Sequence, residues 1–273
     1  MLEQTRRAEA GMFSMASGYE QYMGRWSRLL APAFVAFTGV RDGERILDVG
    51  TGTGALATAL EAATRTSEIA GIDPSAGFIE YAKANAVSGR ARFEVANAQA
   101  LPYGDASFDR ATSLLVINFI PDHAKALREM RRVTRPGGAI SACVWDYGAG
   151  MESLRIFWDE ALALDPAAAP RHERNMKLAR EGELGALWNA SGLTNVRETA
   201  LVIEQAFSSF DDYWAPFLSG TGPGGAYVAS LPEARRRRLE ARLRSSLLGG
   251  RPDGRFVLQA RAWCVRGEVP EHP

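Results

Sequence analysis

Apolar and polar residues alternate along this chain with two different periods. Short apolar runs of strand length occur at Arg45–Val49, Glu68–Ile72, Ala91–Val95, Ser107–Leu115 and Ala139–Trp145. Between them, apolar residues recur at helical spacing over Ala55–Thr64, Pro74–Ala82 and Pro121–Val133. Strands that alternate with helices predict an α/β fold with a doubly wound, Rossmann-like parallel sheet, because each crossover helix returns the chain to the same edge of the sheet.

The pattern continues on both sides of this region, but less regularly. Residues 15–38 have the aromatic and apolar spacing of an amphipathic leading helix. After residue 145, helices are predicted at Met151–Leu164, Glu183–Ala190 and Leu231–Leu248, and strands at Val196–Ile203 and Phe256–Val265. The glycine-rich run Gly220–Gly225 has no strand before it, so we expect a mobile connection there. We predict a single domain over residues 1–273, with a cofactor-binding core at 45–145 and added segments on the substrate side at 146–180 and 205–250.

A glycine-rich turn follows the first predicted strand. Gly50, Gly52 and Gly54 stand at every second position between Val49 and an alanine-rich helix. Glycine lets the backbone turn sharply and approach a ligand closely. The helix that follows directs its unpaired N–H groups and the positive end of its dipole toward that ligand. The turn therefore predicts a nucleotide-type site, with Thr51 inside it.

Two acidic residues narrow the type of ligand. Asp48 lies two residues before the first glycine, where a carboxylate can face an ammonium group, and Asp73 ends the second strand, where an acid can accept both ribose hydroxyls of an adenosine. Gly50, Gly52 and Ala55 also satisfy the G-x-G-x-x-G/A pattern of dinucleotide sites, which leaves a nicotinamide-dependent oxidoreductase as an alternative.

Further along, three short elements strengthen one of these interpretations. They are Leu101-Pro102-Tyr103 after the third strand, Phe108-Asp109 in the fourth, and Pro136-Gly137-Gly138 before the fifth. Together with the glycine turn they resemble the class I S-adenosylmethionine (SAM) dependent methyltransferases, of the small-molecule type found in quinone biosynthesis. The resemblance covers about residues 20–145. It implies a seven-stranded, mainly parallel sheet with an antiparallel terminal strand and added helices over the pocket, SAM as methyl donor, and S-adenosylhomocysteine as product.

The resemblance also implies which residues contact SAM. Asn97 stands where the family has an acid, yet its amide oxygen can accept from the adenine amino group while the Ala98 backbone N–H donates to the ring. The full set of predicted cofactor-binding residues is Asp48, Gly50, Thr51, Gly52, Gly54, Asp73, Pro74, Asn97, Ala98, Gln99 and Ser113.

The methyl acceptor is expected to meet the segments outside this core. They are rich in aromatic residues, which suit a flat or apolar small molecule. We predict that the substrate pocket includes Tyr22, Trp145, Tyr147 and Trp214.

Methyl transfer depends mainly on alignment of donor and acceptor, so the lack of a hydrolytic triad does not argue against an enzyme. Four side chains are candidates for a proton acceptor, and none is assigned a catalytic role; they are Asp122, His123, Asp146 and Tyr147. A SAM-binding regulator without activity is a further alternative.

Composition restricts the partners. The 32 basic and 32 acidic residues cancel, so no overall field favours nucleic acid or an anionic membrane. Cys143 and Cys264 lie in apolar runs and are expected to be buried and reduced, and no metal-binding spacing of Cys and His is present. Since no signal-peptide pattern or membrane-length apolar run occurs, we expect a cytoplasmic protein whose partner is a small-molecule methyl acceptor. The sequence does not indicate an oligomeric state.

Overall fold

The structure is a computed structural model and describes residues 18–271. Its strands are β1 (Arg45–Val49), β2 (Glu68–Asp73), β3 (Ala91–Val95), β4 (Phe108–Leu114), β5 (Thr134–Trp145), β6 (Thr194–Phe207) and β7 (Phe256–Glu268). They form one seven-stranded sheet in the order β3-β2-β1-β4-β5-β7-β6. The strands β1 to β5 pair in parallel, and β7 pairs antiparallel with both β5 and β6. The predicted fold class is confirmed.

Helices cover the sheet. They are α1 (Arg25–Thr38), α2 (Ala55–Ala63), α3 (Ala76–Ala84), α4 (His123–Val133), α5 (Glu152–Leu164), α6 (Glu183–Ala190), α7 (Phe210–Leu218), α8 (Gly222–Ser230) and α9 (Glu233–Leu248). The central strand β1 is buried from Ile46 to Val49, which explains why its sequence is an unbroken apolar run with one acid.

In the leading helix, a π-helical turn, Glu20–Gly24, continues directly into α1. Residues 15–17 of the predicted helix lie outside the described residues. Gly39 ends α1 in the left-handed conformation (φ 64°), as helix C-termini favour. Because α1 packs against α2 and β6, the preceding turn is held over the carboxyl ends of the strands.

Two elements differ from the sequence prediction. The Pro136-Gly137-Gly138 turn lies inside β5, which begins at Thr134, and the β4–β5 register shifts there from Phe108–Thr134 to Arg110–Ala139. The run Gly220–Gly225 was predicted to be a mobile connection, but from Gly222 onward it forms the first turn of α8. Pro223 explains this start, because proline at the beginning of a helix gives up an N–H that would have no partner there.

The two cysteines face each other across β5 and β7. Cys143 and Cys264 are directly paired in the ladder and fully buried, as predicted, but the structure joins them as a disulfide. The expectation that they are reduced is therefore wrong for this structure.

Across residues 18–271, the structure contains no helix of the length and apolarity needed to cross a membrane.

Candidate functional site

A cavity of about 340 Å³ opens at the carboxyl ends of β1, β2, β4 and β5. Its walls come from the glycine turn, the end of β2, the residues after β4 and β5, the leading helical turn and the start of α8. The lining residues are Tyr19, Tyr22, Met23, Ser27, Asp48, Gly50, Thr51, Gly52, Thr53, Ala55, Leu56, Asp73, Phe78, Leu114, Leu115, Val116, Phe119, Trp145, Tyr147, Leu154, Glu173, Met176, Thr221, Gly222 and Pro223. This is the edge at which ligands bind in doubly wound sheets.

The glycine turn forms the floor of the cavity. The backbone N–H groups of Gly50 and Thr51 both donate to the Ile72 carbonyl oxygen at 2.8 Å, which ties the turn to β2. Gly50 (φ 75°) has no room for a side chain, because a Cβ would collide with Val116. Gly52 (φ 52°) has nothing within 4 Å of its would-be Cβ. The space above Gly52 is therefore available to a ligand.

Asp48 is fully buried beside this turn. Its Oδ2 accepts a hydrogen bond from Thr51 Oγ1 at 2.7 Å, while Oδ1 has no hydrogen-bond partner within the described part of the chain. Burial raises the pKa of Asp48 to about 7, and the nearby Asp73 carboxylate adds to this rise. A buried carboxyl with a free oxygen is a site that a cation would stabilise.

Asp73 connects the glycine turn to the start of α3. Its Oδ2 accepts from the Gly52 N–H at 3.2 Å and its Oδ1 accepts from the Ser75 N–H at 2.8 Å. Burial raises the pKa of Asp73, and these two hydrogen bonds oppose the rise. The carboxylate thus has one backbone partner on each oxygen and lines the cavity.

The remaining predicted cofactor residues do not line this cavity. Asn97 is exposed, and its Oδ1 accepts from the Gln99 N–H at 2.8 Å. Gln99 Oε1 in turn accepts from the Asp122 N–H at 2.9 Å. Ser113 is fully buried in β4. The predicted cofactor-binding residues outside the cavity wall are Gly54, Pro74, Asn97, Ala98, Gln99 and Ser113.

Three of the four residues predicted for the substrate pocket share the cavity. Tyr22 comes from the leading turn, and Trp145 and Tyr147 come from the end of β5. Trp214 is elsewhere: it is buried in α7 and packs against Phe210 and Phe217, with ring centroids 6.4 Å and 6.0 Å away.

The other three candidate proton acceptors lie outside the cavity wall and have structural partners there. Asp146 is buried and forms a salt bridge with Arg261, with Oδ2 2.6 Å from Nη2. Asp122 caps α4 by accepting from the Lys125 N–H at 2.8 Å, and His123 Nδ1 lies 3.1 Å from the Ile117 carbonyl oxygen.

Sequence reasoning missed Glu173, a buried carboxyl in the cavity wall. It sits in a short helical turn, Glu173–Asn175, within the charged run Arg171-His172-Glu173-Arg174, which is typical of a solvated surface. One oxygen accepts from the Trp158 indole N–H, and Oε1 has no hydrogen-bond partner among residues 18–271. Burial raises the pKa of Glu173 to about 7.

No positively charged side chain is among the lining residues that the structure describes, whereas three carboxyls are: Asp48, Asp73 and Glu173. Within the same described part, no group of three His, Cys, Asp or Glu side chains is arranged to hold a metal ion. The remaining wall is mostly apolar and aromatic. The site therefore favours ligands that are cationic or uncharged.

Comparisons with known proteins agree with this geometry. Residues 47–142 match a family model described as a methyltransferase domain. The uncharacterized protein Rv1405c of Mycobacterium tuberculosis is 32% identical over 190 residues, which cover 66% of this chain and 68% of that protein. The ubiquinone/menaquinone biosynthesis C-methyltransferase UbiE of Geotalea daltonii is 41% identical over 101 residues, which cover 35% of this chain and 43% of that protein.

Among solved structures, one similar fold is that of phosphoethanolamine N-methyltransferase 2 of Haemonchus contortus, in complex with phosphomonomethylethanolamine and S-adenosylhomocysteine. It aligns with a TM-score of 0.57 at 17% identity and covers 98% of this chain and 59% of that one. At this identity the likeness concerns the fold alone.

Proposed function

This chain belongs to the class I SAM-dependent methyltransferases, and we propose that its acceptor is a small, largely apolar molecule without negative charge. The observation that carries the proposal is the single cavity that joins the glycine turn to an aromatic wall. Its volume of about 340 Å³ lies in the range of small-molecule pockets. An anionic acceptor would enter beside three carboxyls without a lining cation to pair with.

The residues present fit SAM. The ligand carries a sulfonium and an ammonium group, and the cavity offers the unpaired Oδ1 of Asp48 beside the open space above Gly52. We propose that Asp48, Gly50, Thr51, Gly52 and Asp73 hold SAM, because all five line the cavity floor. The predicted contacts of Gly54, Pro74, Asn97, Ala98, Gln99 and Ser113 remain proposals.

SAM supplies a methyl group already activated by its positive sulfur. The chain's own task is then to align and enclose the reactants. Holding two reacting atoms in line at about 3–3.5 Å lowers the barrier by about 7–11 kcal/mol. We assign this alignment to Tyr22, Trp145 and Tyr147, which lie on the aromatic side of the cavity. Enclosure by α8 and the leading turn would exclude water from the bound reactants.

The SAM-binding side and the acceptor side of the cavity are formed by different segments of the chain. We propose one domain in which residues 45–145 bind SAM, while the leading helix and the segments 146–180 and 205–250 shape the acceptor side. Consistent with this, Tyr22, Glu173 and Gly222 reach the cavity from outside the core segment.

A labelling experiment tests the acceptor class. The protein is incubated with methyl-labelled SAM and, separately, with the low-molecular-weight and the macromolecular fraction of a bacterial extract. We expect label in the organic-extractable small molecules. Label confined to protein or nucleic acid would refute the proposal.

A thermal-shift comparison is the matched binding control. SAM and S-adenosylhomocysteine are expected to raise the melting temperature, and NAD is expected to leave it unchanged. A ligand present at 100 times its Kd stabilises the folded state by about 2.7 kcal/mol. A shift with NAD instead would favour the dinucleotide alternative.

A further inference from the structure

We infer that Glu173 is the catalytic residue that takes a proton from the acceptor, and that the acceptor presents a weakly acidic hydroxyl group on an aromatic or apolar body. The inference rests on the proposed function and adds the acceptor's reacting group to it. It is carried by the place of Glu173 in the cavity wall and by the orphaned oxygens around it.

Glu173 is held rigidly at the cavity. Its segment precedes α6, and its carboxyl is fixed by the indole N–H of Trp158, a fully buried residue of α5. The neighbouring His172 ring stacks on the same indole, with centroids 5.3 Å apart and planes 16° apart. Since one oxygen is anchored in this way, Oε1 is left without a protein partner in the described residues.

A second orphaned oxygen belongs to the same wall. The hydroxyl of Tyr22 is buried and has no partner among residues 18–271. The negative charge of Glu173 contributes to raising the pKa of both Tyr22 and Tyr147, after burial as the main cause, which places both phenols within its electrostatic reach. Buried polar atoms without partners are costly, so two of them beside one cavity indicate a ligand with a polar group.

The charges around Glu173 leave it free to exchange a proton. Tyr22 and Tyr147 face it as neutral phenols, and the neighbouring His172 is neutral because burial lowers its pKa to about 4. Arg174 follows Glu173 in the sequence but does not line the cavity, and the Gly224 backbone at the start of α8 opposes the rise in the pKa of Glu173. The other carboxyls of the cavity are Asp48 and Asp73 on the SAM side. Among the residues that the structure describes, therefore, no ion pair fixes Glu173 in its charged form.

This arrangement favours a hydroxyl over an amine. A carboxylate paired with an ammonium holds the proton on nitrogen, which is the form that cannot attack. A phenol has a pKa of about 10 and must lose its proton to become a strong nucleophile. A base that titrates near neutral pH is matched to that task.

The step balances as follows. The acceptor oxygen forms a bond to the methyl carbon while the carbon–sulfur bond breaks, and that electron pair stays on sulfur. The hydroxyl proton passes to Oε1 of Glu173 and leaves to solvent after product release. The products are a methyl ether and S-adenosylhomocysteine.

The test uses Glu173→Gln in the full chain with three probe phenols: phenol, para-propylphenol and a naphthol. Glutamine keeps an acceptor for the Trp158 N–H, so the variant should fold and bind SAM as the wild type does. We expect wild-type turnover of at least one phenol, and a fall in kcat of about 10²–10⁴-fold in the variant. We also expect the wild-type kcat to rise with pH as Glu173 loses its proton, and this rise to vanish in the variant. Asp48 does not obscure the kcat profile, because bound SAM holds it in the charged form.

Glu181→Gln is the matched control, since Glu181 is exposed and outside the cavity wall. It should behave as the wild type. The inference is overturned if no phenol is methylated, if Glu173→Gln keeps wild-type kcat, or if its pH rise persists. In each case, retained SAM binding and label transfer to extract small molecules would leave the proposed function standing.

Discussion

At the residue scale, two of the three glycines in the turn are required for different reasons, one for packing and one for ligand approach. Gly50 is constrained by Val116, whereas Gly52 borders open space. The sequence predicts that both positions require glycine, because they alternate in a sharp turn between a strand and a helix. The sequence could not show that Gly50 is required for packing and Gly52 for ligand approach, since Val116, the neighbour of Gly50, lies after another strand, 66 positions away.

Gly52→Val is expected to harm SAM binding more than stability. The valine side chain would fill the space above the turn, so we expect SAM to cause no thermal shift. The left-handed backbone at φ 52° adds a strain of about 1–3 kcal/mol. Calorimetric titration with SAM and urea unfolding measure the two effects.

Gly249→Val is its matched control. Gly249 has a similar φ of 57° and likewise nothing within 4 Å of its would-be Cβ, but it ends α9 outside the cavity wall. The strain should be alike and SAM binding intact. Equal SAM affinity in both variants would mean that the ligand does not approach Gly52.

Asp73→Asn is expected to weaken SAM binding by about ten- to a hundredfold. An amide can still accept one backbone N–H, so the turn should hold, but its NH₂ group cannot accept a ribose hydroxyl. Loss of a charged hydrogen bond costs about 1.5–3 kcal/mol. Isothermal titration with SAM measures the change.

Asp42→Asn is the matched control, because Asp42, like Asp73, accepts hydrogen bonds from two backbone N–H groups but lies outside the cavity wall. Asp42 Oδ1 accepts the N–H groups of Arg65 and Thr66, both at 2.7 Å, away from the cavity. This variant should keep the SAM affinity of the wild type. If Asp73→Asn also keeps it, Asp73 serves only to support the turn.

At the element scale, the regular strand–helix alternation made the core predictable. The predicted limits of β1, β3 and α6 agree with the structure, because each has a clear period and a turn residue at its end. The elements after residue 145 were harder. The start of α8 is rich in glycine, which weakens the helical signal of Pro223, and the close packing of Gly224 against Phe217 and Phe157 is a tertiary contact that local sequence does not reveal.

The dependence on tertiary contacts also explains why the sequence did not predict Glu173 as a site residue. Glu173 stands in a charged run without periodicity, and its burial results from the packing of Trp158 and α8 around it. Conversely, the residue type and the segment of Trp214 predict a position in the substrate pocket. Its position in α7 directs it to Phe210 and Phe217 instead.

Truncation of Tyr147 should affect catalysis, whereas truncation of Trp214 should affect stability. Tyr147→Leu should lower kcat/KM for the acceptor by roughly fivefold, because an aromatic contact contributes about 1 kcal/mol, and should leave SAM affinity unchanged. Trp214→Ala should instead lower the free energy of unfolding by about 3–5 kcal/mol, since this side chain is buried. Steady-state kinetics and urea unfolding distinguish them. A selective kinetic defect in Trp214→Ala would return it to the acceptor site.

At the scale of the whole molecule, balanced charge conceals a local imbalance. The chain has 32 basic and 32 acidic residues, yet the cavity wall described here has carboxyls and no basic side chain. Net charge predicted the absence of a global field but not this feature. The imbalance arises because sequence-distant positions, Asp48 and Glu173, converge at one sheet edge.

This convergence makes the stability of the ligand-free protein depend on pH. Asp48 and Glu173 have folded-state pKa values of about 7, against about 3.9 and 4.3 when unfolded. Between these values the folded state binds more protons than the unfolded state. The stability that these groups contribute is therefore complete below about pH 4 and lost as the pH rises through about 7.

We expect the free energy of unfolding to fall from about pH 5 to about pH 8, and to fall less in Asp48→Asn combined with Glu173→Gln. Bound SAM should reverse part of the loss, because its positive groups stabilise the Asp48 carboxylate, so its stabilising effect should be larger at about pH 8 than at about pH 6. Urea unfolding across this range, with and without SAM, measures both effects. In Asp48→Asn alone the pH dependence of the SAM effect should shrink, since the amide carries no proton to release. A SAM effect independent of pH in the wild type would show that Asp48 does not face the cation.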